Sequence, residues 1–131
     1  MATKPNQEYF NKGTSTVDDD DLKKAAESAE KLKEKIKNSK GLSGLFDDLM
    51  LLSSLVKDYW KGRYRKIPYK AIAAISFTIL YVLNVVDLVP DFIPGLGLLD
   101  DATIVGLCLK MVSTDIEQYK IWKAVDIEKK E

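Results

Sequence analysis

The chain has 131 residues, 46% apolar and 31% charged, with 20 basic and 20 acidic side chains. That length fits one compact domain, the apolar share excludes wholesale disorder, and zero formal net charge argues against a protein that coats nucleic acid by charge alone. The chain has no histidine and one cysteine, Cys108, so the usual general base, the commonest zinc ligand and an intrachain disulfide are all missing.

In chain order, residues 1–17 are polar and without periodicity, and they are expected to form a disordered tail. They also lack the apolar stretch of a secretory signal, so the protein is expected to be cytoplasmic rather than secreted. Asp18 to Asp21 then precede Leu22, Ala25, Ala26, Ala29, Leu32 and Ile36 at helical spacing, which predicts an amphipathic helix ending near Gly41. The aspartates stand where a helix N-terminus favours negative charge, so capping is their first reading and an acidic binding cluster the alternative.

A second helix is predicted from Ser43 to about Gly62, with Leu45, Phe46, Leu49, Leu52, Ser53, Val56, Tyr59 and Trp60 on one face. From its last turn onward, Lys57, Lys61, Arg63, Arg65, Lys66 and Lys70 face only Asp58 as a local acid, interleaved with Tyr59, Trp60, Tyr64 and Tyr69. Lys61, Arg63, Arg65 and Lys66 are the candidate contact surface, because basic residues attract anionic headgroups and Tyr and Trp favour the membrane interface. The plainer reading is a solvated helix end whose cations complement the helix dipole. No nucleic-acid motif accompanies the segment, and no nucleic-acid partner is expected.

Pro68 suits the first turn of a third helix. From Ala71 to Val86 no residue is charged, so this helix is apolar all round and belongs in the centre of a bundle or in lipid. Its length is about 24 Å against the roughly 30 Å of a bilayer core, with Lys70 and Asp87 at its limits, which disfavours a span. A fourth helix is predicted from Asp100 or Asp101 through Ile104, Val105, Leu107, Cys108, Met111 and Val112. It continues, or breaks and restarts near Ser113, and the end, residues 128–131, is expected to fray. Cys108 is read as a small core residue, since no base can be placed beside it.

Between the two apolar helices runs Asp87-Leu-Val-Pro90-Asp91-Phe-Ile-Pro94-Gly95-Leu-Gly97-Leu-Leu-Asp100-Asp101. Pro90, Pro94, Gly95 and Gly97 break helix and favour turns, so Asp87, Asp91, Asp100 and Asp101 are expected to converge. Carboxylates without His or Cys suit a hard divalent cation, Mg²⁺, Ca²⁺ or Mn²⁺, although the spacing is not that of an EF-hand. Capping and ion pairing at the corner are the favoured reading, with metal binding second and catalysis third. Phe92, Ile93, Leu96, Leu98 and Leu99 are expected to fold back as a core plug, with a docking patch as the alternative.

This acidic turn, flanked by apolar helices, resembles the bacterial YkvA-like domain of unknown function. The resemblance rests on Asp87, Pro90, Asp91, Pro94, Gly97, Asp100 and Asp101, and covers about residues 57–112. Asn84 or Val85 stands where a proline is frequent in that family. The resemblance implies a short helical domain associated with membranes and supplies no reaction.

The expected fold is therefore all-α: one domain over residues 18–127, a small bundle of four to five helices around a central apolar hairpin. The expected function is a non-enzymatic interaction or accessory domain, with a protein partner or an anionic membrane surface as its contact and no catalytic residue assigned. No cofactor is the first expectation. The alternative is a divalent-cation domain built on Asp87, Asp91, Asp100 and Asp101, with metal-dependent catalysis third. Oligomeric state is left open.

Overall fold

The computed structural model describes residues 5–39, 41–83 and 101–130. Among the described residues the secondary structure is helical, without strands: α1 (Pro5–Ser15), α2 (Asp19–Ala26), α3 (Ala29–Lys37), a 3-10 turn (Ser43–Leu45), α4 (Phe46–Trp60), α5 (Tyr69–Val82), α6 (Asp101–Met111) and α7 (Ser113–Lys130).

The expected tail is corrected by α1. Pro5 occupies its first position, where a missing N–H costs nothing. Phe10 is fully buried and meets Phe77 edge to face, with ring centroids 5.7 Å apart. Gly13 lets α1 approach α5 closely, because a Cβ there would overlap the Phe77 ring. One aromatic pair and one missing side chain thus dock a helix that has no apolar stripe of its own.

The single helix expected from Asp18 to Gly41 is instead two. Asp18 caps α2 in a reciprocal box: its carboxylate accepts the Asp21 N–H, and the Asp21 carboxylate accepts the Asp18 N–H, both at 3.0 Å. The helix stops at Glu27. The Ser28 hydroxyl donates to the Lys24 carbonyl, offering the backbone a local alternative to another helical turn. Leu22, Ala25 and Ala26 of α2 and Leu32 and Ile36 of α3 nevertheless enter the same core.

In α4 the expected stripe is present, with Leu49, Leu52, Ser53 and Val56 buried and Leu45, Phe46 and Tyr59 packed at its margin. Trp60 departs from it and is 37% exposed. Helix α5 is the centre of the bundle, with every residue from Ala71 to Leu80 buried and α1, α2, α3, α4 and α6 packed around it. Its polar side chains are satisfied within the helix, Ser76 donating to the Ile72 carbonyl at 2.9 Å and Thr78 to the Ala74 carbonyl at 2.8 Å. Among the described residues no helix is long and apolar enough to cross a membrane.

Helix α6 packs on α5 as the two arms of the expected hairpin, burying Ile104, Val105 and Cys108. Burial pushes the Cys108 thiol up to about 12, so it is protonated at neutral pH, as a core residue would be. Between α6 and α7 the helical hydrogen bonds continue, Val112 N–H to Cys108 and Ile116 N–H to Val112, each 2.9 Å. The expected restart near Ser113 is therefore a slight irregularity in a nearly continuous helix.

Candidate functional site: a basic segment on a buried anchor

The segment joining α4 to α5 starts from a glycine-terminated helix end. Lys61 closes α4, Gly62 turns with φ of 79°, its N–H bonds the Tyr59 carbonyl at 3.0 Å, and the Arg63 N–H bonds the Asp58 carbonyl at 2.9 Å. This pair of bonds is the Schellman pattern, and it needs a residue tolerant of positive φ at position 62. From there the chain alternates, with Arg63, Arg65 and Lys66 exposed and Tyr64 and Ile67 buried. Pro68 then fixes an extended φ and ψ of −62° and 147° at the entry to α5.

Beneath the segment lies Asp58, whose side chain is only 6% exposed. It accepts hydrogen bonds from Arg63 Nη2 at 2.6 Å and from the Tyr119 hydroxyl at 2.5 Å, and Lys123 Nζ stands 3.4 Å away. Lys123 also donates to Ser54 Oγ at 2.8 Å and to Tyr119 Oη at 3.1 Å, while Ser54 and Tyr119 share a hydrogen bond of 2.6 Å. Burial alone would raise the Asp58 carboxyl, but the Tyr119 hydroxyl, Lys123 and Arg63 together hold it below the ordinary carboxylate value. Burial, and then the hydrogen bond to Asp58, push the Tyr119 phenol up.

The aromatic side chains complete the anchor. Tyr64 packs at 5.2 Å from Tyr119 and 5.0 Å from Trp122, and Tyr119 stacks on Trp122 at 5.8 Å, centroid to centroid. The loop is thereby fastened to α7, and its outward side chains are presented from a fixed backbone.

The four candidate surface residues are all exposed, but they are not equivalent. Arg63 is bound to Asp58, and the Arg65 guanidinium lies 4.5 Å over the Tyr59 ring with its charge still outward. Among the described residues, Lys61, Arg65 and Lys66 form no ion pair. At the far end of the segment the Tyr69 hydroxyl donates to the Val17 carbonyl at 3.3 Å. Burial, and then Asp19 among its neighbours, raise that phenol, so the start of α2 makes this end acidic.

Asp87, Asp91 and Asp100, with Pro90, Pro94, Gly95 and Gly97, lie outside the described residues, as do Phe92, Ile93, Leu96, Leu98 and Leu99. Asp101 is the first residue of α6. Among the described residues no group of three or more His, Cys, Asp or Glu is placed to hold a metal ion.

The Asp58 cluster was not among the residues expected from the sequence. Its one legible signal was an acid among the apolar residues of α4, one turn after Leu55, together with Tyr119 and Lys123 spaced to share a face of α7.

Residues 71–107, from α5 into α6, match the family model described as "Protein of unknown function (DUF1232)". Over 69 residues the chain is 32% identical to a Bacillus subtilis (strain 168) protein named "Uncharacterized membrane protein YkvA", an alignment covering 53% of this chain and 65% of that relative. The chain thus spans less than two thirds of that relative's length. No solved structure matches significantly. The family match begins where the basic segment ends, on the apolar helix at the centre of the bundle, and this part of the chain is similar to a YkvA-like domain of unknown function.

Proposed function

We propose that this protein is a non-enzymatic accessory domain that attaches to an anionic membrane surface through Lys61, Arg65 and Lys66. The observation that carries the reading is the anchor: Asp58 and the Tyr64, Tyr119 and Trp122 rings hold the loop backbone while three exposed cations form no ion pair among the described residues. Loose lysines lose side-chain and backbone entropy on binding, and a prefastened loop loses less. Each basic residue near an anionic surface contributes about 1 kcal/mol, and Trp60, exposed beside Lys61, is a side chain that favours the headgroup region.

The Bacillus subtilis relative is named as a membrane protein, which is compatible with this reading. A peripheral contact also agrees with the absence of a membrane-length helix among the described residues. The test is co-sedimentation at low salt with vesicles of phosphatidylcholine alone and with added phosphatidylglycerol. Pelleting with the anionic vesicles only is the expected result; no pelleting with either removes the proposal.

A further inference from the structure

Helix α7 carries an apolar stripe on its outer face that none of the described residues covers. Ile121 is 66% exposed and Val125 44% exposed, one helical turn apart, with Ala124 exposed between them. Single exposed aliphatic residues are ordinary on protein surfaces. This stripe differs in what borders it: Ile121 and Trp122 share a shallow groove of about 260 Å³ with Tyr64, Lys66 and Gln118. The stripe and the basic segment are therefore continuous, with half-buried Trp122 between them.

We propose that Ile121 and Val125 form an apolar wedge that enters the headgroup region of an anionic bilayer when Lys61, Arg65 and Lys66 dock. The inference rests on the surface reading above and adds the part of the contact that salt does not screen. Charge sets the choice of occupant. Lys123 is engaged by Asp58, and Glu117 is paired with Lys120 at 3.5 Å, so among the described residues the charged side chain that lines the groove without an ion pair is Lys66. A second copy packed about this face would bring like charges together, and the wedge is far smaller than the roughly 20–30 residues a side of a stable protein interface. A helix lying along the interface needs only a narrow apolar strip, which inserts about 5–10 Å while cations meet the phosphates. Trp122, stacked on Tyr119 and packed at a tilt against Tyr64, fixes the height at which that strip is offered.

The test compares wild-type protein, Ile121→Ser/Val125→Ser and Lys61→Glu/Arg65→Glu/Lys66→Glu on phosphatidylcholine/phosphatidylglycerol vesicles at low and at high salt. Because both aliphatic side chains are exposed, the serine pair is expected to melt like wild type. The proposal predicts about a tenfold weaker affinity for the serine pair at low salt and loss of the binding that survives high salt. Ile121→Trp is expected to increase that salt-resistant binding. If the serine pair binds like wild type while the charge variant does not, the wedge is overturned and the electrostatic surface stands. A concentration-dependent dimer that the serine pair abolishes also overturns it, assigning the stripe to self-association. No vesicle binding by wild type removes the surface reading and the wedge together.

Discussion

Asp58 and Tyr119 stand 61 positions apart in the chain and share a hydrogen bond of 2.5 Å, the shortest link between the end of α4 and the middle of α7. The carboxylate is the shared acceptor for Arg63 and Tyr119, with Lys123 beside it, so one buried charge fastens the basic loop and the last helix together. Asp58→Asn is expected to destabilise the fold by roughly 2 kcal/mol, and Tyr119→Phe by about 1 kcal/mol, because the first removes the charge that Arg63, Tyr119 and Lys123 share and the second removes one of the hydrogen bonds to it. Urea unfolding of the two variants checks this. Arg63 and Lys123 are half exposed, which keeps the first figure below that of a fully buried pair.

The same carboxylate sets a pH dependence. Its folded pKa is depressed below the ordinary 3.8, so its contribution to stability is complete above that value and is lost as pH falls through the depressed folded pKa. Melting temperature measured from pH 6 downward should therefore fall less steeply for Asp58→Asn than for wild type, with the two curves drawing together in acid.

Gly13→Ala should loosen α1 selectively. The added methyl overlaps the Phe77 ring, and relief requires either the ring or the helix to move, at a cost of about 1–3 kcal/mol. Limited proteolysis should then cleave within α1 while the remainder stays resistant, and adding Phe77→Leu should restore part of the protection. Unaltered proteolysis would mean that α1 does not pack where Phe10 and Phe77 place it.

Cys108 should be inert in the folded protein. Its thiol is buried and held near 12, so a maleimide or disulfide reagent at neutral pH should label it only at the rate at which the bundle opens. Labelling as fast as that of a small thiol would contradict its burial.

How far the fold was legible follows the range of each determining contact. Helix α5 announced itself by having no charge from Ala71 onward, and the cap at Asp18 by its run of acids, since both signals are local. Helix α1 escaped because a single long-range ring contact, Phe10 on Phe77, holds it, and the α2–α3 break escaped because Ser28 competes for a backbone carbonyl without any proline or glycine to mark it. The basic segment could be read as a charge run, and the exposure of Lys61, Arg63, Arg65 and Lys66 agrees with that reading. That Arg63 is an anchor rather than a contact residue could not be read, because Asp58 becomes buried only when Tyr119 and Lys123 arrive from α7.

For the acidic turn, the capping account expects the same melting temperature in EDTA and in excess Mg²⁺, Ca²⁺ or Mn²⁺. It also expects Asp91→Asn to destabilise equally in all four conditions. A cation-specific rise that Asp91→Asn abolishes would assign Asp87, Asp91, Asp100 and Asp101 to a metal site.

The surface reading is tested most directly by equilibrium binding to phosphatidylglycerol-containing vesicles across a salt series, wild type against Lys61→Glu/Arg65→Glu/Lys66→Glu. Binding that weakens as salt screens it, and a loss of at least about a hundredfold in the charge-reversed protein at low salt, are the predicted results. Equal affinity of the two proteins, or no binding by wild type at low salt, would contradict it.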